Sequence, residues 1–184
     1  LDLNSLVLSD AQRAAVTDPV IGKLIELIPR ANFVDSSGTS RFIGSATAPV
    51  DVDQSTLDLS YNLTANDRLH GYYATQHVDI VEPNRFGNTI PGFGHVFVTR
   101  RQVFTLNETH TCGSAVVNEA RFGFNRIHIL FTPNAQLNPL DFGIQDGVKE
   151  AIGLPQLNVT GSSFNLGGPT GFPQGRSDTT FVLS

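Results

Sequence analysis

From Ser55 the chain alternates. Leu57, Leu59, Tyr61 and Leu63 fall on one side of an extended strand, and Asp58, Ser60 and Asn62 on the other. Thr64-Ala65-Asn66-Asp67 is a polar turn. The return strand places Leu69, Gly71, Tyr73 and Thr75 opposite His70, Tyr72, Ala74 and Gln76. This predicts a hairpin of two strands of about ten residues each. A second pair of strands is predicted over 97–107 and 118–131, with 108–115 as the connecting turn region. In its second strand Ala120, Phe122 and Phe124 face one way, while Glu119, Arg121, Gly123 and Asn125 face the other. Charges inside a strand require a wet or paired environment. Thr179 to Ser184 opens a fifth strand.

The first third reads differently. Ser9 or Asp10 can cap a short helix through Val16, and Thr17-Asp18-Pro19 is a cap followed by proline at the first helical position. Val20, Ile21, Leu24, Ile25 and Ile28 recur at helical spacing until Pro29, which predicts an amphipathic helix packed on a sheet. Residues 32–53 are polar and rich in Gly, Ser and Pro, and read as loop or irregular edge. Long connections are expected at 79–95 and 132–175, with a short helical turn at 146–152 inside the second. The chain therefore divides into a helical and loop segment, 1–52, expected to be part of a long extracellular connection, and an antiparallel β segment, 53–184. Short turns at one end of the strands and long loops at the other is the plan of an outer-membrane barrel.

Composition narrows the classes. Leu, Ile, Val and Phe supply about 31% of the 184 residues, well above the ~20% below which chains stay disordered. The net charge of −5 and the dispersal of 12 basic residues argue against a nucleic-acid partner. Ten of those 12 are Arg, which suits hydrogen-bonded positions better than a merely solvated face. Cys112 is alone, so the chain forms no internal disulfide. No run approaches 18 apolar residues, which excludes a transmembrane helix but not a transmembrane strand. The chain has no Met and begins at Leu1, without the positive start or cleavage site of a leader, and is expected either to have lost a leader or to be a piece of a longer protein.

From Asp53 the wording resembles one family. The run Asp53-Gln-Ser-Thr-Leu-Asp-Leu-Ser-Tyr-Asn-Leu-Thr-Ala-Asn-Asp-Arg-Leu69 is similar to a hairpin of TonB-dependent receptors, in particular their Oar-like branch with a carboxypeptidase-regulatory-like domain. Asn107–Thr111, Val117-Asn-Glu-Ala-Arg-Phe-Gly-Phe-Asn-Arg126, Asn138–Ile144 and Pro173–Phe181 resemble the same branch in the same order, as does the Asp18–Pro29 helix. The resemblance implies part of a transmembrane β-barrel wall built of antiparallel up-and-down hairpins. It further implies energy-coupled uptake of a large solute across the bacterial outer membrane. The implied partners are a plug domain, a periplasmic energy-coupling protein, outer-membrane lipid and a solute that the sequence does not identify. A 22-stranded barrel needs about 220 residues for its strands alone, at ~10 each.

No catalytic constellation stands out. His70, His77, His95, His110 and His128 form no H-x-x-x-H or H-E-x-x-H pair, so no metal or cofactor is expected. Cys112 reads as a turn residue, Gly44-Ser45 and Gly113-Ser114 form no nucleophile elbow, and Gly167–Gly171 lacks the lysine of a phosphate loop. An enzyme is not expected. The candidate functional set is the polar strand face, Asp58, His70, Glu119, Arg121 and Asn125, which would line a barrel lumen. A free-standing soluble β-rich binding or adhesion module remains the alternative, in which those residues form a solvated face.

Overall fold

The computed structural model describes residues 2–84, 90–145, 153–159 and 164–184. The chain folds as two compact units, one of residues 1–49, 80–97 and 131–174, the other of 50–79, 98–130 and 175–184.

The second unit is built on a sheet of five strands: β4 (Val50–Asn62), β5 (Asp67–Glu82), β6 (His95–Cys112), β7 (Val116–Pro133) and β10 (Gln174–Leu183). Their order is β10-β7-β6-β5-β4, so each strand lies beside its predecessor in the set, an up-and-down arrangement. Both expected hairpins are present. The hairpin strands are longer than expected: β4 and β5 run 13 and 16 residues against about ten, and β6 and β7 run 18 each against the expected 97–107 and 118–131. The apolar alternation stops early, but polar residues beyond it stay extended because the ladder and cross-strand bonds hold them. Gln102 Nε2 donates to the Tyr73 hydroxyl at 2.8 Å, Thr99 Oγ1 to the His128 carbonyl at 3.1 Å, and His110 bonds to Asp67. For the same reason the turn between β6 and β7 shrinks from the expected 108–115 to three residues, 113–115, with Gly113 at φ +67°. That left-handed backbone costs glycine nothing. The sheet is open: β4 and β10 end it, and β4 is exposed along its whole length.

The first unit corrects the reading of 32–53 as loop or irregular edge, since regular paired strands run through it. Its sheet, β1 (Asp2–Leu6), β3 (Ser40–Ser45) and β2 (Phe33–Val34), runs in the order β1-β3-β2, with Leu3 opposite Gly44 and Phe33 opposite Arg41. Period-two alternation is too short here to announce a strand. Pairing supplies what the pattern lacks, and Asn32 extends it by exchanging side-chain bonds with the Ile43 backbone at 2.7 and 2.8 Å. Strand β4 begins at Val50, so the units part at 49/50, and 1–49 folds together with the two long connections.

The expected helix starts are in place. Ser9 and Gln12 form a reciprocal capping box for α1 (Asp10–Ala14). Asp18 accepts from the Val20 and Ile21 amides ahead of Pro19 in α2 (Pro19–Ile25). The α-helix ends three residues short of Ile28, where Leu27 and Ile28 turn to i−3 bonds on Leu24 and Ile25. Arg13 closes this end, its guanidinium donating to the carbonyls of Ile25, Ile28 and Pro29, each at 2.8 Å. Val7, Leu24, Ile28, Ile90, Phe93, Leu154 and Leu166 form the buried core of the unit. The long connections thus fold into structure: a 3-10 helix (Pro139–Phe142) and a two-stranded pair, β8 (Leu157–Val159) and β9 (Phe164–Leu166). The helical turn expected at 146–152 lies outside the described residues.

Candidate functional site

Strand parity sorts the large sheet into two faces. Phe122 packs on Phe104 and Phe181 with ring centroids 6.1 and 6.3 Å apart, and Phe124 on Phe181 at 5.4 Å. With Leu57, Leu59, Tyr61 and Leu106 these make one apolar, aromatic face. It is uncovered: Leu59 is 61% exposed and Phe181 65%. Apolar surface on this scale, left in water, is an interaction face.

The opposite face is polar. Asp58 and Ser60 of β4, Arg68 and His70 of β5, Asn107 and Thr109 of β6, and Glu119 and Arg121 of β7 line one hollow of about 450 Å³. His70 Nε2 lies 2.9 Å from Asp58 Oδ1, Arg68 reaches Ser60 Oγ at 3.4 Å, and Arg121 donates to Glu119 on its own strand. Four of the five expected residues, Asp58, His70, Glu119 and Arg121, therefore share this hollow from three strands, β4, β5 and β7. Asn125 shares their face by parity but lies outside the hollow, further along β7. The expected set contained nothing from β6, although Asn107 and Thr109 bridge β5 and β7 in the sheet order. Their alternation with Leu106 was the available signal. The hollow carries two fixed cations, Arg68 and Arg121, and two fixed anions, Asp58 and Glu119. Such a surface offers hydrogen bonds of both senses and no net pull on a simple ion.

Histidine spacing alone does not reveal one further grouping. Among the described residues Asp67, Glu108 and His110 bring one ligand atom each to within 4.8 Å of one another. They come from adjacent strands, so no linear motif marks them. Oxygen and imidazole donors at that spacing suit a divalent cation. Asp67, however, already accepts from His110 and from the Thr64 hydroxyl. The arrangement therefore serves to tie the β4–β5 turn to β6, and Thr111 N–H reinforces it by donating to the Asn66 carbonyl at 2.9 Å.

A two-faced, up-and-down sheet with short turns is the wall of a barrel that meets lipid on one side. The model of one family, the outer membrane beta barrel domain, matches residues 9–184. The chain belongs to that family. No match was found among curated proteins or solved structures. Membership places the chain in the bacterial outer membrane as barrel wall, and it accounts for the uncovered aromatic face. No helix among the described residues is long and apolar enough to cross a membrane. The barrel domain crosses with strands, whose backbone groups must all be paired in hydrocarbon. Among the described residues β4 and β10 have one neighbour each, so the sheet is not closed into a barrel.

Proposed function

We propose that this chain is part of the barrel wall of a TonB-dependent transporter of the Oar-like branch, which takes up a large solute with energy supplied from the inner membrane. The reading is of a transport protein, not an enzyme. Asp58, His70, Glu119, Arg121 and Asn125 face the lumen, where they meet the plug domain or the passing solute. The observation that supports this most is the polar hollow on the face opposite the aromatic belt. Its balanced charge favours a bulky, hydrogen-bonding solute over a small ion drawn by one sign of field. The soluble alternative would have to leave the aromatic face in water, which weighs against it.

The test uses the whole protein in its own cells. Uptake of candidate large solutes is compared before and after deleting the energy-coupling protein, and with a protonophore. Loss of uptake in both cases is expected. Uptake that survives both, or steady passive conductance of the purified protein in planar bilayers, would mean an open pore and overturn the proposal.

A further inference from the structure

The aromatic face does not stay apolar along the strands. Moving away from the turns at 63–66 and 113–115, the same parity passes from Leu106 and Phe104 to Gln102 and Arg100 on β6. On β7 it passes from Phe122 and Phe124 to Arg126 and His128. His77, Val98, Arg100, Gln102, Arg126 and His128 line one hollow of about 310 Å³ on that face. His128 Nδ1 bonds to Ser177 Oγ at 2.6 Å on β10, and His77 Nε2 to Asp79 at 3.2 Å on β5, so both rings are held in place. Arg100 and Arg126 are exposed, and among the described residues neither is in an ion pair. Two guanidiniums with no ion pair among the described residues thus line one hollow, on neighbouring strands, at the edge of a hydrocarbon-compatible belt.

In outer-membrane barrels the short turns face the periplasm, so this edge belongs to the outer leaflet. We propose that Arg100 and Arg126, framed by Gln102, His77 and His128, bind the phosphate of an outer-leaflet lipid headgroup while its acyl chains lie along the Phe104–Phe122–Phe181 belt. Guanidinium matches phosphate in charge and in forked donor geometry. The occupant is identified by continuity: the same face offers acyl packing on one side of the hollow and phosphate recognition within it. A free phosphate would use only the second. The proposal rests on the barrel-wall role of the chain and not on what the barrel transports.

The experiment uses the whole protein purified in detergent and, as probes, lipid A carrying its phosphates, the same lipid dephosphorylated, and inorganic phosphate. Lipid binding is read by native mass spectrometry, and folding of each variant is verified by heat-modifiable migration on gels. Arg100→Gln with Arg126→Gln is expected to weaken lipid A binding on the order of 10- to 30-fold, since each basic residue near a membrane surface contributes about one decade or slightly less. Arg101→Gln, one residue along and on the other face, is expected to leave it unchanged, and the dephosphorylated lipid to bind wild type as weakly as lipid A binds the double variant. Arg100→Lys with Arg126→Lys keeps the charge but loses the forked donor geometry, and is expected to fall between. Equal loss in Arg101→Gln, equal binding of the dephosphorylated lipid, or full displacement of lipid A by millimolar inorganic phosphate would each overturn the proposal. Loss of solute uptake without these changes would bear on transport alone.

Discussion

Arg13 carries more of the first unit than its place on a five-residue helix suggests. Its guanidinium donates to three carbonyls at the end of α2, each at 2.8 Å, where the helix leaves acceptors without partners and concentrates negative dipole charge. Hydrogen bonds from charged donors contribute about 1.5–3 kcal/mol when well buried. Arg13 is half-buried, so about 1 kcal/mol per bond is a fair discount, or about 3 kcal/mol for the fork. Arg13→Ala should therefore raise opening of the Pro19–Ala31 segment by on the order of 100-fold. The assay is hydrogen exchange by mass spectrometry, with a Val50–Asn62 peptide from the other unit as internal reference. Arg13→Lys separates two causes. If the dipole alone matters, an ammonium restores protection fully; if the fork matters, it reaches one carbonyl and recovers about a third of the free energy. Exchange in Arg13→Ala within twofold of wild type, or full rescue by lysine, would refute the argument.

Facing can be tested by charge. Phe122→Lys should cost about 2–4 kcal/mol in bilayer folding titrations, whereas Asn107→Lys, on the polar face, should change stability by less than about 1 kcal/mol. A Cβ on Gly94 would fall 1.6 Å from the Glu82 carbonyl oxygen, which is backbone and cannot swing aside. Gly94→Ala should therefore cost more than about 3 kcal/mol in thermal unfolding. Gly92→Ala, at φ +94° with nothing within 4 Å, should cost only about 1–2 kcal/mol. The Ser37 hydroxyl, the Thr39 amide and the Arg41 guanidinium hold the Asp35 carboxyl well below the usual carboxylate range. A lowered folded value means that its stabilisation is complete above the unfolded value of about 3.9 and is lost as pH falls below it. Protection of amides 35–41 should thus be flat from pH 7 to 5 and decline below about 4, and Asp35→Asn should remove that decline.

Local chemistry was legible where one short stretch contained both partners of an interaction. The Ser9–Gln12 box, the Asp18-Pro19 start and the Thr64–Asp67 turn are each complete within four residues, so sequence order is spatial order. The alternation in β4, β5 and β7 likewise sorted Asp58, His70, Glu119 and Arg121 onto one face, because a pleated strand leaves each side chain only two directions. The strands of the first unit were not legible. β1 meets β3 across some 40 residues, and its polar side chains carry no alternating signal.

By itself, then, the order of residues determined that the chain is two-faced β structure, where its helices start, and which residues share a face, since these follow from backbone periodicity. Only the tertiary structure decided which of them meet. It brought Asn107 and Thr109 between His70 and Arg121, gathered Arg100 and Arg126 around one hollow at the end of the aromatic belt, and joined Asp67 to His110. Each of those meetings depends on strand order and register, which backbone pairing sets between segments far apart in the chain and which no local pattern encodes.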